Sequence, residues 1–235
     1  MALRQHDKLD ASALFYTLAE DLKTPLVRMA YKAELVGHDK NISDIRLNIR
    51  TTLELLDAYL LGAKNASQTN LVLEPVSPSA LAADAAYGLK EYAKDFSCNL
   101  IVDVPNNSSF ALTHRAIVLA ALSAIGKVFI EAQSAIASTK KSVTIASYKT
   151  QNGYSLGIFC TEESLVINKK QLERARSQVG IASRPFVGLT NGASSQLFVA
   201  EQLLQGLQTS IRTARRGKLS GLVIDLIPTA QLTLV

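Results

Sequence analysis

Apolar positions recur at intervals of three and four along the first part of the chain, at Leu14, Leu18, Leu22, Leu26, Met29, Ala33 and Val36. That spacing lines one face of an α-helix, and Asp10 or Ser12 is placed to cap its start. A polar run at 37–41 predicts a turn. A second series then follows a three-four heptad over three repeats: Ile42, Ile45, Ile49, Leu53, Leu56, Leu60 and Ala63. Two amphipathic helices joined by so short a linker predict an antiparallel hairpin. One hairpin cannot cover both of its apolar faces. Pairing with a second copy across a two-fold axis covers them in a four-helix bundle, so a homodimer is expected.

The helical period breaks between 65 and 79, where NASQTN, LVLEPV and Ser77-Pro78 follow one another. This divides the chain into a helical hairpin, 1–68, and a second domain, 69–235. In the second domain the period alternates. Strands are expected at 71–76, 99–104, 142–148, 154–160, 209–213 and 219–227. Helices are expected at 79–96, 113–132, 168–178 and 195–206, with a loop rich in Gly, Ser and Thr at 179–193. Asn152-Gly153 suits a hairpin turn, and Arg216-Gly217 marks a second one. This order fits a two-layer α/β sandwich with a mixed sheet, giving an α+β chain when the helical bundle is included.

The 235 residues are 48% hydrophobic, enough for a core in each part. Cys98 and Cys160 fall in apolar, strand-like runs and have no metal-ligand spacing, so both read as buried free thiols and no metal site is expected. The N-terminus lacks a signal-peptide run, and no stretch of about 18 uncharged apolar residues occurs, which argues against a membrane span. The chain reads as cytoplasmic. Its net charge of +5 is uneven: residues 169–235 hold nine basic and three acidic side chains. Lys169, Lys170, Arg174, Arg176 and Arg184 suit phosphates, but no aromatics are interleaved with them. A solvated basic face is therefore preferred over a nucleic-acid site.

The segment Leu18–Leu26 reads LAEDLKTPL. It resembles the histidine box of sensor histidine kinases, with Asp21 in the acidic position and Leu22, Lys23, Thr24, Pro25 and Leu26 following without a gap. The proline explains itself in that family, which bends its helix there. The resemblance implies a dimerisation and phosphotransfer hairpin followed by a GHKL-type ATPase-like domain, the same order of elements expected above. It also implies that the phosphoacceptor position is held by Glu20. A carboxylate cannot form the phosphoramidate that imidazole forms, and His6, His38 and His114 lie outside this helix face.

The second domain departs from the family in the same direction. The family's magnesium-binding asparagine belongs on the helix at 113–132, yet no asparagine occurs between Asn107 and Asn152. The adenine-reading DxGxG aligns with Cys160–Ile167, CTEESLVI, placing Glu162, Ser164 and Val166 at its Asp and Gly positions. The phosphate-cradling GxGLGL aligns with Gly192–Leu197, GASSQL, keeping Gly192 and Leu197 but putting Ser194 at a glycine position. Glu162, Ser164, Val166, Gly192 and Ser194 thus outline a vestigial nucleotide pocket, and weak or absent magnesium-ATP binding is expected, with no cofactor.

The reading is a homodimeric pseudokinase of two-component signalling. It docks a response-regulator receiver domain, or another kinase, through Glu20, Asp21, Lys23, Thr24 and Arg28. Glu20 mimics phosphohistidine there or is a solvated side chain. The alternative is an enzyme: a divergent ATP-binding kinase, or a receiver phosphatase using Asp21 and Thr24, which stand one helical turn apart.

Overall fold

A computed structural model describes residues 3–36, 40–67, 71–105, 110–134, 136, 141–161, 172–173 and 193–229. The helix expected at 168–178 and the loop at 179–193 lie outside these residues, except for helical backbone at 172–173 and the helix start at 193. The chain separates into two compact units, Met1–Thr69 and Asn70–Val235.

The first unit is a pair of helices, α1 (Leu3–Leu35) and α2 (Lys40–Ser67). Helix α1 begins well before Asp10 and Ser12, so neither residue caps it. The segment LRQHDKL contains no Gly, Pro or β-branched residue, and propagating a formed helix through it costs little. The helix also runs through Pro25, whose missing N–H leaves the Asp21 carbonyl without its usual donor one turn back. Ala19, Ile49 and Leu60 are buried. Much of the predicted stripe is not: Leu18, Leu22, Met29 and Val36 are 55%, 49%, 51% and 68% exposed, and Ile45 is 49% exposed. The side chains of Leu14 and Ala63 lie outside the described residues.

The second unit runs β1 (Glu74–Val76), α3 (Pro78–Asp95), β2 (Asn99–Asp103), β3 (Ala111–Thr113), α4 (Arg115–Ser134), β4 (Ser142–Thr150), β5 (Gly153–Thr161), α5 (Ala193–Gln205), β6 (Ile211–Arg216) and β7 (Leu219–Pro228). Its local signals follow the chemistry of the chain. Ser77 caps α3 by accepting from the Ala80 N–H, with Pro78 in the first turn where no donor is needed. Ser97 takes the left-handed conformation that ends α3, at φ 51°, so that the Cys98 N–H reaches the Ala93 carbonyl at 2.8 Å. The expected helix at 113–132 starts later, at Arg115, because Ala111–Thr113 is a strand. Three residues are too few to show a period, and β3 forms because β1 and β7 pair with its two edges.

The seven strands form one mixed sheet in which β2 and β4 are parallel and the other pairs antiparallel. Strand β7 lies centrally, with β5 along one edge and β6 and β3 sharing the other. Helices α3, α4 and α5 cover one face. There Leu81, Leu122, Ile125, Phe129, Leu197 and Leu204 close over Val143, Ile145, Leu156, Ile158, Leu222 and Ile224. Helix α4 is long and apolar enough to cross a membrane by composition alone, a feature not recognised in the sequence because Lys127 interrupts it. Most of it is buried inside the chain, the place of a core helix.

The opposite face carries a small core of Ala146, Phe159 and Val223, flanked by Tyr148, Ala214 and Leu219. Gly157 and Gly221 make it possible. A Cβ at Gly157 would stand 2.4 Å from both the Leu222 carbonyl oxygen and Val223 Cγ1, and one at Gly221 would stand 2.2 Å from the Ile158 carbonyl oxygen. Arg216 pairs with Asp103 at 2.9 Å and lies over the Tyr148 ring.

Candidate functional site

The segment singled out in the sequence lies in the continuous part of α1. Glu20, Asp21, Thr24 and Arg28 are all exposed. At 3.6 residues per turn they fall within an arc of roughly 100° on one side of the helix. Leu18, Leu22, Leu26 and Met29 occupy the other side. The helix period therefore separates a polar face from an apolar one, and the proline between them interrupts neither.

Lys23 stands apart from this set. It donates to Asp57 of α2 at 2.6 Å, with its side chain 37% exposed. The pair stitches the hairpin together and neutralises the basic group nearest Glu20. What remains outward is two carboxylates, a hydroxyl and, one turn further on, a guanidinium. Glu20 and Asp21 make this end of the face acidic. A carboxylate at Asp21 and a hydroxyl at Thr24, one turn apart and both open to solvent, can together orient a water molecule or a partner's donor groups.

The pocket residues expected in the second unit fare differently. Glu162, Ser164, Val166 and Gly192 lie outside the described residues, as do Lys169, Lys170, Arg174, Arg176 and Arg184. Ser194 is in the first turn of α5. Among the described residues, no three His, Cys, Asp or Glu side chains stand together as a metal site. Helix α4 carries no asparagine, and its buried side is filled by Ile117, Val118, Ala121, Leu122, Ala124 and Ile125 among others.

Two polar clusters were not foreseen from the sequence. On α4, Lys127 is buried with its ammonium 5.3 Å from the Tyr92 ring centre, and the Tyr92 hydroxyl donates to Glu131 at 2.5 Å. The signal for it was a lone lysine within an apolar helix. On the outer sheet face, Arg212 donates through Nε and Nη2 to Asp225 and through Nη2 to Ser155 at 2.9 Å. These bonds hold the Asp225 carboxyl below the usual carboxylate range, with Arg212 the larger cause and Ser155 adding to it. Burial pushes the Cys160 thiol up to about 11 and raises Cys98 as well, so both cysteines stay protonated and inert.

No protein-family model matches the chain, and no curated protein matches it. Solved structures do. The full-length ShkA structure in complex with AMPPNP superposes with a TM-score of 0.60 at 15% identity, over 92% of this chain and 46% of that one. This chain thus spans about half the length of ShkA. The Acinetobacter baumannii histidine kinase AdeS matches with a TM-score of 0.50 at 15% identity, over 89% of this chain and 98% of that one. Both alignments extend over most of the chain, and the fold is that of a histidine kinase core.

Proposed function

We propose that this chain, built on the fold of a histidine kinase core, is a non-catalytic member of two-component signalling. It forms a homodimer through α1 and α2 and docks the receiver domain of a response regulator, or a kinase partner, through the face bearing Glu20, Asp21, Thr24 and Arg28, with Lys23 at its edge. The observation that carries this reading is the exposure of that face: a carboxylate stands in the phosphoacceptor position, surrounded by side chains open to a partner. A Glu20 carboxylate has no nitrogen with which to form a phosphoramidate, so phosphotransfer of the usual kind stops there. In this reading the chain acts in the cytoplasm, where it meets its partner.

A second reading keeps an enzymatic role: Asp21 and Thr24 orient the water that dephosphorylates the receiver. It is favoured by their joint exposure one turn apart. Both readings are tested with a receiver domain captured by the full chain and identified by mass spectrometry. Asp21→Arg is expected to weaken its binding. Thr24→Ala is expected to leave binding and dimerisation intact, and to abolish any acceleration of receiver dephosphorylation. Equal affinity and equal phosphatase effect in both variants would place the function elsewhere on the molecule.

A further inference from the structure

The ladder of the sheet is interrupted along one side of β7. This strand pairs with β5 from Leu219 to Leu226 on one edge. On its other edge it pairs with β6 from Leu219 to Ile224, then with β3 at Ile227 and Pro228. Asp225 and Leu226 fall between the two partners. There the Thr209 hydroxyl, rather than a strand, donates to the Asp225 carbonyl at 3.0 Å. A cavity of about 620 Å³ opens at this gap. That volume lies inside the roughly 300–1,000 Å³ of small-molecule sites and exceeds what a few bridging waters occupy.

The walls differ in chemistry. One is apolar, made chiefly by Leu73, Leu112 and Ile227, which are 42%, 41% and 69% exposed. Apolar surface left this wet gains from being covered. Polar residues with amide or hydroxyl groups, Gln151, Asn152 and Thr209 among them, also line the cavity. Gln208, at φ 54°, ends α5 as Ser97 ends α3, with its N–H on the Gln205 carbonyl and the Thr209 N–H on that of Leu204, and this cap turns the chain along the cavity. The two charged side chains in the wall cancel, because Arg212 holds Asp225 through two of its nitrogens and Ser155 bonds to both. An anionic ligand would have to draw Arg212 away from that partner, and a cationic one would have to draw Asp225 away.

We propose that this cavity binds an uncharged amphipathic small molecule. Its apolar body lies on Leu73, Leu112 and Ile227, and its amide or hydroxyl groups meet Gln151, Asn152 and Thr209. The site is separate from the nucleotide region implied by the resemblance. It borders Tyr154 at the start of β5, whereas Thr161, the last strand residue before 162–166 in the sequence, lies roughly 23 Å away along an extended backbone.

The test titrates the full chain with the uncharged fluorophore N-phenyl-1-naphthylamine and with the sulfonated 8-anilinonaphthalene-1-sulfonate. The uncharged probe is expected to saturate one site per chain, and the sulfonate to bind at least tenfold more weakly. Leu112→Arg and, separately, Ile227→Lys should each weaken the uncharged probe tenfold or more. Both residues are exposed enough for these variants to keep the native thermal midpoint. Leu22→Lys should leave the affinity unchanged, which separates the cavity from the apolar stripe of α1. Absence of saturable binding, equal affinity for the sulfonate, or affinity unaffected by both cavity variants would overturn the proposal.

Discussion

Asp225 accepts hydrogen bonds from Arg212 and Ser155, and its carboxyl is held below the usual range by them. A group with a lowered folded pKa contributes stability above its unfolded value, about 3.9 for Asp, and loses it as pH falls through the folded value. Asp225→Asn should therefore lower the melting temperature at pH 7, and its difference from the parent chain should shrink towards pH 3. Melting curves at the two pH values decide this; a difference independent of pH would contradict it. The pairing itself was invisible in the sequence, because Arg212 and Asp225 meet only when β6 and β7 take one register around Gly217, at φ 60°. Gly157→Ala belongs to the same scale. A Cβ there meets the Leu222 backbone as well as Val223, and backbone cannot swing aside as a side-chain tip can. A loss of about 1–3 kcal/mol or more is expected in urea unfolding.

At the scale of elements, most of the helices and longer strands were legible because each carries its own period. The second helix shows this best: its three-four heptad predicts α2, and Ile49 and Leu60 are buried where the period puts them. Helix α1 shows the limit, since its apolar stripe was plain but its start was not, there being no Gly or Pro between Leu3 and Asp10 to mark one. The missed strand β3 marks a different limit, because three residues acquire strand character only from neighbours distant in the chain. The wet stripe of α1 and α2 leads to a prediction about assembly. Each large apolar residue covered there adds about 1.5–3 kcal/mol if fully buried. Leu53→Asp or Leu56→Asp should convert a dimer to monomers or to insoluble protein. Light scattering on the unsubstituted chain gives the reference mass, and a monomer there would end the bundle reading.

For the whole molecule, the two-layer arrangement followed from the order of the elements, but the place of each strand did not. Nothing local says that β7 enters between β5 and the β6–β3 pair, or that β2 runs parallel to β4. The proposed docking face could be outlined from the sequence because one helix carries all of it. The cavity was not, since its walls come from segments between Leu73 and Ile227. On the nucleotide side, the sequence lacks the metal-binding asparagine, the adenine-reading aspartate and most lid glycines together. Calorimetry with magnesium-ATP should show weak binding or none, and a low-micromolar dissociation constant relieved by ADP would restore the kinase reading. The central position of β7 also bears on how the chain is made. Helices α1 and α2 touch through neighbouring segments, so they can fold while synthesis continues. The sandwich cannot do the same: β5 lacks its second neighbour, and β3 one of its two, until the β7 residues have left the ribosome. Until then the apolar strands β4 and β5 and helix α4 stay uncovered, and a chaperone's hold on the nascent chain should extend to them until β7 is in place.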